Sequence, residues 1–253
     1  MDAILNRPFL ILLFCLLVLW LAVLIGTFIR QKLRESQADA DDLNLVTNAT
    51  LTLLALIVGF TFSMAVSRYD QRKNYEEEEA NAIGTEYVRA DFLPAADAAR
   101  TRALLTQYLD QRILFYTSRD ENELDRIDSR TAKLQSEMWT GVQRAAAAQP
   151  TPIMGLVALG MNDVLNRQGY TQAAWWNRIP TGAWALMMAL GICCSLLIGY
   201  GAHDRRGVVL MTIFPLILSI AFFLIADIDS PRRGVIRVLP QNLMSLSDSL
   251  HQP

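Results

Sequence analysis

Residues 43–67 read Leu43-Asn-Leu-Val-Thr-Asn48-Ala-Thr-Leu-Thr52-Leu-Leu-Ala55-Leu-Ile-Val-Gly59-Phe-Thr-Phe62-Ser63-Met-Ala-Val66-Ser67. These 25 residues contain no Asp, Glu, Lys, Arg or His. A helix of about 20 mostly apolar residues satisfies its own backbone hydrogen bonds and crosses a hydrocarbon core of roughly 30 Å, so the segment is predicted to span a membrane. Its polar residues are not scattered. At about 100° per residue, Asn48, Thr52, Ala55, Gly59, Phe62, Ser63 and Val66 fall on one helix face, and the other faces carry mostly Leu, Ile, Val and Phe. The small and polar face continues past the span through Asp70, Lys73, Glu77, Asn81 and Gly84. No helix breaker stands between Phe62 and Leu93, which predicts one long helix leaving the bilayer.

Three more stretches lack charge: Pro8–Ile29, Ile179–Ala202 and Gly207–Ala226, and with the first they make up 91 of the 253 residues. All 48 Lys, Arg, Asp and Glu residues therefore lie on the remaining 162. That remainder is about 30% charged, slightly above the roughly 25% of ordinary soluble domains. The chain reads as an all-α polytopic membrane protein with four transmembrane helices in a 2 + 2 arrangement. An N-terminal hairpin covers 1–67 (spans 8–29 and 43–67), a helical soluble domain 68–178, a second hairpin 179–226 (spans 179–202 and 207–226), and a tail 227–253. The first stretch is read as a retained span and not a signal peptide. Its apolar run is too long, no small-x-small cleavage site follows, and Arg30, Lys32 and Arg34 come directly after it.

In the soluble segment, Pro94 and the run Gln149-Pro150-Thr151-Pro152 are the breaks. They predict helices over Arg68–Leu93, Ala95–Ser118 and Glu121–Ala148, then shorter helical pieces to Asn177. His203-Asp204-Arg205-Arg206 is long enough only to join two antiparallel spans. An even number of spans puts the termini and the soluble domain on one side. Lys and Arg near the span ends number nine on that side and five opposite, which predicts a cytoplasmic soluble domain in the inner membrane of a bacterium.

Several function classes drop out. A net charge of −2 and only two histidines, His203 and His251, argue against a nucleic-acid partner and a histidine-rich metal site. Cys15, Cys193 and Cys194 lie in spans and read as small packing residues. No Gly-rich nucleotide loop, HExxH or Ser/His/Asp set occurs, so no catalytic residue, metal or cofactor is assigned and an enzyme is not expected. Asp227 and Asp229 form an Asp-x-Asp pair, but two carboxylates without further ligands are weak grounds for a metal. In Asp229-Ser-Pro231 they read instead as a turn or cap, with Arg232 and Arg233 available to the aspartates or to lipid phosphates.

The polar stripe has two readings, a close-packing seam and the lining of a water-filled pathway, with Phe62 as an apolar constriction. In the third span Gly191, Ser195 and Gly199, and likewise Ala185, Ala189 and Cys193, recur every four residues, a pattern for close helix packing within or between subunits. Pro215 is expected to kink the fourth span. The run Glu76-Glu77-Glu78-Glu79 reads as a solvated helix face, with Arg72–Glu76 and Glu86–Arg89 as supporting pairs. Glu76, Glu79, Ile83 and Glu86 share the face opposite the stripe, so at most Glu77, with Asp70, is placed to attract ions into a pore.

Two blocks carry a family resemblance. The first runs from Gly59-Phe-Thr-Phe-Ser-Met-Ala-Val-Ser-Arg68-Tyr-Asp to Glu79-Ala-Asn-Ala-Ile-Gly-Thr-Glu86-Tyr-Val-Arg89-Ala-Asp-Phe-Leu-Pro94. The second is Asp229-Ser-Pro-Arg-Arg-Gly234-Val-Ile-Arg-Val-Leu-Pro240. Together with the 2 + 2 layout they resemble the bestrophin-like family of bacterial membrane proteins of unknown function. Arg232 departs from that pattern, which would have an aromatic after the proline. Bestrophins are pentameric anion channels whose second span lines the pore, with an apolar neck and cytoplasmic termini. The resemblance thus implies a homo-oligomeric ion channel, pentameric and embedded in lipid, that passes inorganic ions along Asn48, Thr52, Ala55, Gly59, Phe62, Ser63 and Val66. The acidic run sits awkwardly with anions and leaves cations open. The alternative is a non-conducting membrane scaffold or sensor whose stripe is a packing seam and whose soluble helices bind a partner.

Overall fold

The computed structural model describes residues 8–32, 39–201 and 211–251, and these are helical apart from short connections. The helices are α1 (Pro8–Lys32), α2 (Asp39–Arg89), a 3-10 turn (Ala90–Phe92), α3 (Ala95–Thr117), α4 (Glu121–Ala148), α5 (Pro152–Trp176), α6 (Thr181–Gly201), α7 (Ile213–Asp229) and α8 (Gln241–His251). The expected long second helix is one element of 51 residues. Pro8–Lys32, Asp42–Phe92 and Pro152–Gly201 each contain a stretch long and apolar enough to cross a membrane. The fourth apolar segment is described as the 17-residue α7. The His203–Arg206 loop, residues 33–38 of the loop between the first two spans and the start of the fourth span fall outside the described residues.

The chain divides into two compact units, one made of 1–68 and 178–237, the other of 69–177 and 238–253. In the first unit α1 packs against both α6 and α7. Its inward face is Ile11, Cys15, Leu19, Ala22, Val23 and Gly26, at three- and four-residue steps. The residues left outside, Phe9, Leu13, Phe14, Leu17 and Ile25, are large, apolar and more than half exposed. Such a surface suits lipid and would be a liability in water. Glycines set how closely the helices approach. A Cβ on Gly199 would collide with the Val23 backbone, one on Gly26 with the backbone of Leu196 and Tyr200, and one on Gly191 would crowd Leu19 and Leu218. The Gly191, Ser195, Gly199 seam is therefore filled within one chain, whereas Ala185, Ala189 and Cys193 are exposed. Pro215 falls in the first turn of α7, so it does not bend the described helix. It cannot donate to the carbonyl of Met211, and the helix is interrupted by a turn at Thr212, whose backbone nevertheless keeps right-handed helical angles (φ −70°, ψ −15°).

In the second unit α3 packs on α4, α4 on α5 and α8 on α3. Their shared core includes Ile83, Leu105, Tyr108, Leu109, Leu134, Met138, Val157 and Met161. The helix starts follow local chemistry. The Asp120 carboxylate accepts from Asn122 N ahead of α4, and Thr151 Oγ1 accepts from Met154 N ahead of α5, with Pro152 in the first turn. The shorter pieces expected up to Asn177 are one continuous helix, α5. Gly155, Gly160 and Gly169 each cost about 1 kcal/mol relative to Ala, but Met154, Val157, Met161, Val164, Thr171 and Trp175 keep one face buried along the whole length. The tail is divided as well: residues up to Arg237 belong with the first unit, and those from Val238 onward with the second.

Candidate functional site

The site is built on α2. Asn48, Thr52, Ala55, Gly59, Phe62 and Ser63 are exposed in the single chain, Phe62 at 42%, and Val66 is half-buried. Asp70 and Glu77 continue this line and are exposed too. A Cβ added at Gly59 would meet nothing. The stripe therefore lies on a face that the chain's own folding leaves open. The buried residues of the same span, Leu54, Thr61 and Ala65, lie on a different side, and Thr61 Oγ1 donates to the Ile57 carbonyl 2.7 Å away.

Past the span, the reading of the glutamates as a solvated face holds for Glu77 but fails for Glu76 and Glu79. Arg72, Glu76, Glu79 and Glu86 are all at most 1% exposed. Arg72 Nε and Nη2 donate to the carbonyls of Ala174 (3.1 Å) and Asn177 (3.2 Å), capping the C-terminal end of α5. Glu76 accepts from the Leu243 backbone N–H (2.9 Å) and from Asn242 Nδ2 (2.6 Å), which places a carboxylate at the N-terminus of α8. Glu79 accepts from Arg112 Nε at 2.5 Å, and from Tyr116 Oη and Thr171 Oγ1 at 3.3 Å each. Burial by itself lowers the affinity of the Arg112 guanidinium for its proton, but the Glu79 carboxylate outweighs it and holds the group above its ordinary value. Burial, and then the same carboxylate, push the Tyr116 phenol well up. The guanidinium also lies 4.3 Å from the centre of the Phe115 ring.

Glu78 pairs with Arg167, which also pairs with Asp163. The expected Glu86–Arg89 pair does not form as a hydrogen bond: both oxygens of Glu86 are buried without a partner. What pulls these acids inward is the second unit's own architecture. The helix ends of α5 and α8 need partners, and Arg112 occupies a core-facing position in the apolar repeat Leu105, Tyr108, Leu109, Arg112, Phe115. A charge in phase with a hydrophobic repeat was the sequence signal for this node.

The aspartates of the tail serve structure. Asp227 accepts from the backbone N–H groups of Val235 and Ile236, both at 2.8 Å, and a Cβ on Gly234 would collide with the Asp227 carbonyl. Asp229 accepts from Ile179 N (3.2 Å) and pairs with Arg68 at 3.6 Å. Asp227 thus closes the turn that follows α7, and Asp229 ties the end of α7 to the backbone ahead of α6; Asp-Ser-Pro forms a turn at a helix C-terminus and does not cap the start of a helix. Among the described residues no group of three or more His, Cys, Asp or Glu is placed to hold a metal ion.

The model of the Bestrophin-like domain family matches residues 12–243. This chain belongs to the Bestrophin-like family. The bestrophin-like fold recurs in a bacterial Bestrophin homolog from Klebsiella pneumoniae, with TM-score 0.66 and 15% identity over 95% of this chain and 99% of that one. Two single-residue variants of the same homolog give TM-scores of 0.68 and 0.65 at 14% and 13% identity, covering 95% and 94% of this chain and 99% and 97% of theirs. No curated protein matches in sequence. The chain is accordingly an all-helical membrane protein of this family, and the low identity makes the structural likeness one of fold.

Proposed function

We propose that this bestrophin-like chain forms a homo-oligomeric ion channel, pentameric as in bestrophins, in which the exposed stripe of α2 lines the ion pathway and Phe62 narrows it. The observation that carries the reading is the stripe itself: small and polar residues across a whole span, on a face that the single chain leaves uncovered. Polar groups at membrane depth need water or another helix beside them, and a ring of α2 helices around an axis supplies both. The fate of the glutamates supports anions as the permeant species. Glu76, Glu78 and Glu79 are engaged with backbone, Asn242 or arginines, so of the acidic run Glu77 is the residue left on the open side. The soluble domain 68–178 and the termini are proposed to lie in the cytoplasm.

The test is flux from purified protein in liposomes under chloride and under impermeant-anion salts. Phe62→Ala is expected to raise flux. Silence of the wild type, together with a solved oligomer whose α2 stripes are packed shut, would leave the scaffold reading in its place.

A further inference from the structure

Glu86 is 0% exposed, and neither of its oxygens has a hydrogen-bond partner. Its neighbours on the inner face of α2 are served, Glu76 by the start of α8 and Glu79 by Arg112, so the vacancy is local to this position. The carboxyl lies against the backbone of Gly160 on α5, where a Cβ would collide with both Glu86 Oε2 and Arg89 Nη1. Gly160 is what makes room for the two side chains. Arg89 is half-buried and also lines a cleft of about 380 Å³ between α2 and α5, with Asn81, Thr85, Gly160, Asp163 and Arg167 among the other walls.

Elsewhere around Glu86 the charges are already matched. Asp163 and Glu78 share Arg167, and Asp91 of the 3-10 turn pairs with Arg102 of α3. Arg89 is the charge that acts on Glu86. A carboxylate without donors in such a place is costly, so the group stays neutral until pH forces the proton off. Burial pushes its carboxyl up from 4.5 to about 8, with Arg89 pulling weakly the other way.

We propose that Glu86, Arg89 and Gly160 form a proton-operated latch between α2 and α5. With Glu86 protonated, the neutral carboxyl rests against Gly160 and the Arg89 guanidinium faces the cleft. When the carboxyl O–H breaks, its proton passes to water, and the new carboxylate draws the guanidinium out of the cleft into an ion pair. No other bond changes. The latch needs no conduction and stands apart from the channel reading.

A group that keeps its proton in the folded state and loses it in the unfolded one stabilises the fold most below about 4.5, and that contribution is lost as pH rises towards about 8. Thermal unfolding of the full chain in lipid nanodiscs, followed from pH 4.5 to 9, is expected to show this decline in the wild type. Glu86→Gln should abolish it. In the folded protein, the infrared carbonyl band of a protonated carboxyl should fade near pH 8 and be missing in Glu86→Gln. Arg89→Gln should move that midpoint upward, because it removes the cation that favours the carboxylate. Superimposable pH profiles for wild type and Glu86→Gln, or a midpoint indifferent to Arg89→Gln, would overturn the latch.

Discussion

Glu76 and Glu77 are adjacent in the chain and opposite in circumstance. Glu76 is 1% exposed and holds the first turn of the last helix, while Glu77 stands exposed on the continuation of the polar stripe. The same division runs along α2: one side is spent on the chain's own interior, the other is left for something outside the single chain. Residue type does not separate the two sides, since carboxylates occur on both. What separates them is whether the rest of the chain packs over that side; on the covered side Arg112 serves Glu79 and the start of α8 serves Glu76, while Glu86 is covered without a donor.

The contrast can be broken most severely at Glu79. Glu79→Ala leaves the fully buried Arg112 uncompensated, an effect of about 3–5 kcal/mol on unfolding of the detergent-solubilised protein. Replacing both partners, Glu79→Leu with Arg112→Met, should recover most of that loss, since an apolar pair of similar volume needs no counter-charge. Glu76→Ala comes next, about 1–3 kcal/mol, because the Leu243 N–H and Asn242 lose their acceptor. Its signature is earlier proteolytic cleavage of the C-terminal helix. On the open side the order of effects reverses. Phe62→Ala should shift unfolding little, because the ring is 42% exposed, yet change liposome flux several-fold. Glu77→Gln should leave stability within about 0.5 kcal/mol and alter only the ratio of anion to cation flux. Equal stability losses at Glu77 and Glu76 would erase the distinction between the two sides.

Much of the architecture is legible in local chemistry. Uncharged runs locate the membrane helices because hydrocarbon tolerates little else. Pro94, the Pro150–Pro152 break, Asp120 and Thr151 mark the helix boundaries of the soluble unit because missing N–H groups and capping side chains act within one turn. α5 was harder to read, because its glycines weaken the helical signal that its buried face sustains. Helical periodicity also separates the stripe from Glu76, Glu79, Ile83 and Glu86, but it does not say which side is wet. A row of glutamates reads as surface by default, and no sequence spacing ties Glu79 to Arg112 thirty-three residues away.

The sequence by itself determined the all-helical membrane fold class, the continuous α2 with its two chemically distinct sides, and the family. Tertiary structure alone decided that the acidic side turns inward, that Asp227 and Asp229 accept from backbone N–H groups, that the tail divides between the units, and that Glu86 is left without a donor. The reason is one of range. Helix formation and hydrocarbon solubility are decided within a few residues, whereas the cost of burying a charge depends on partners that only the folded chain brings within 3 Å.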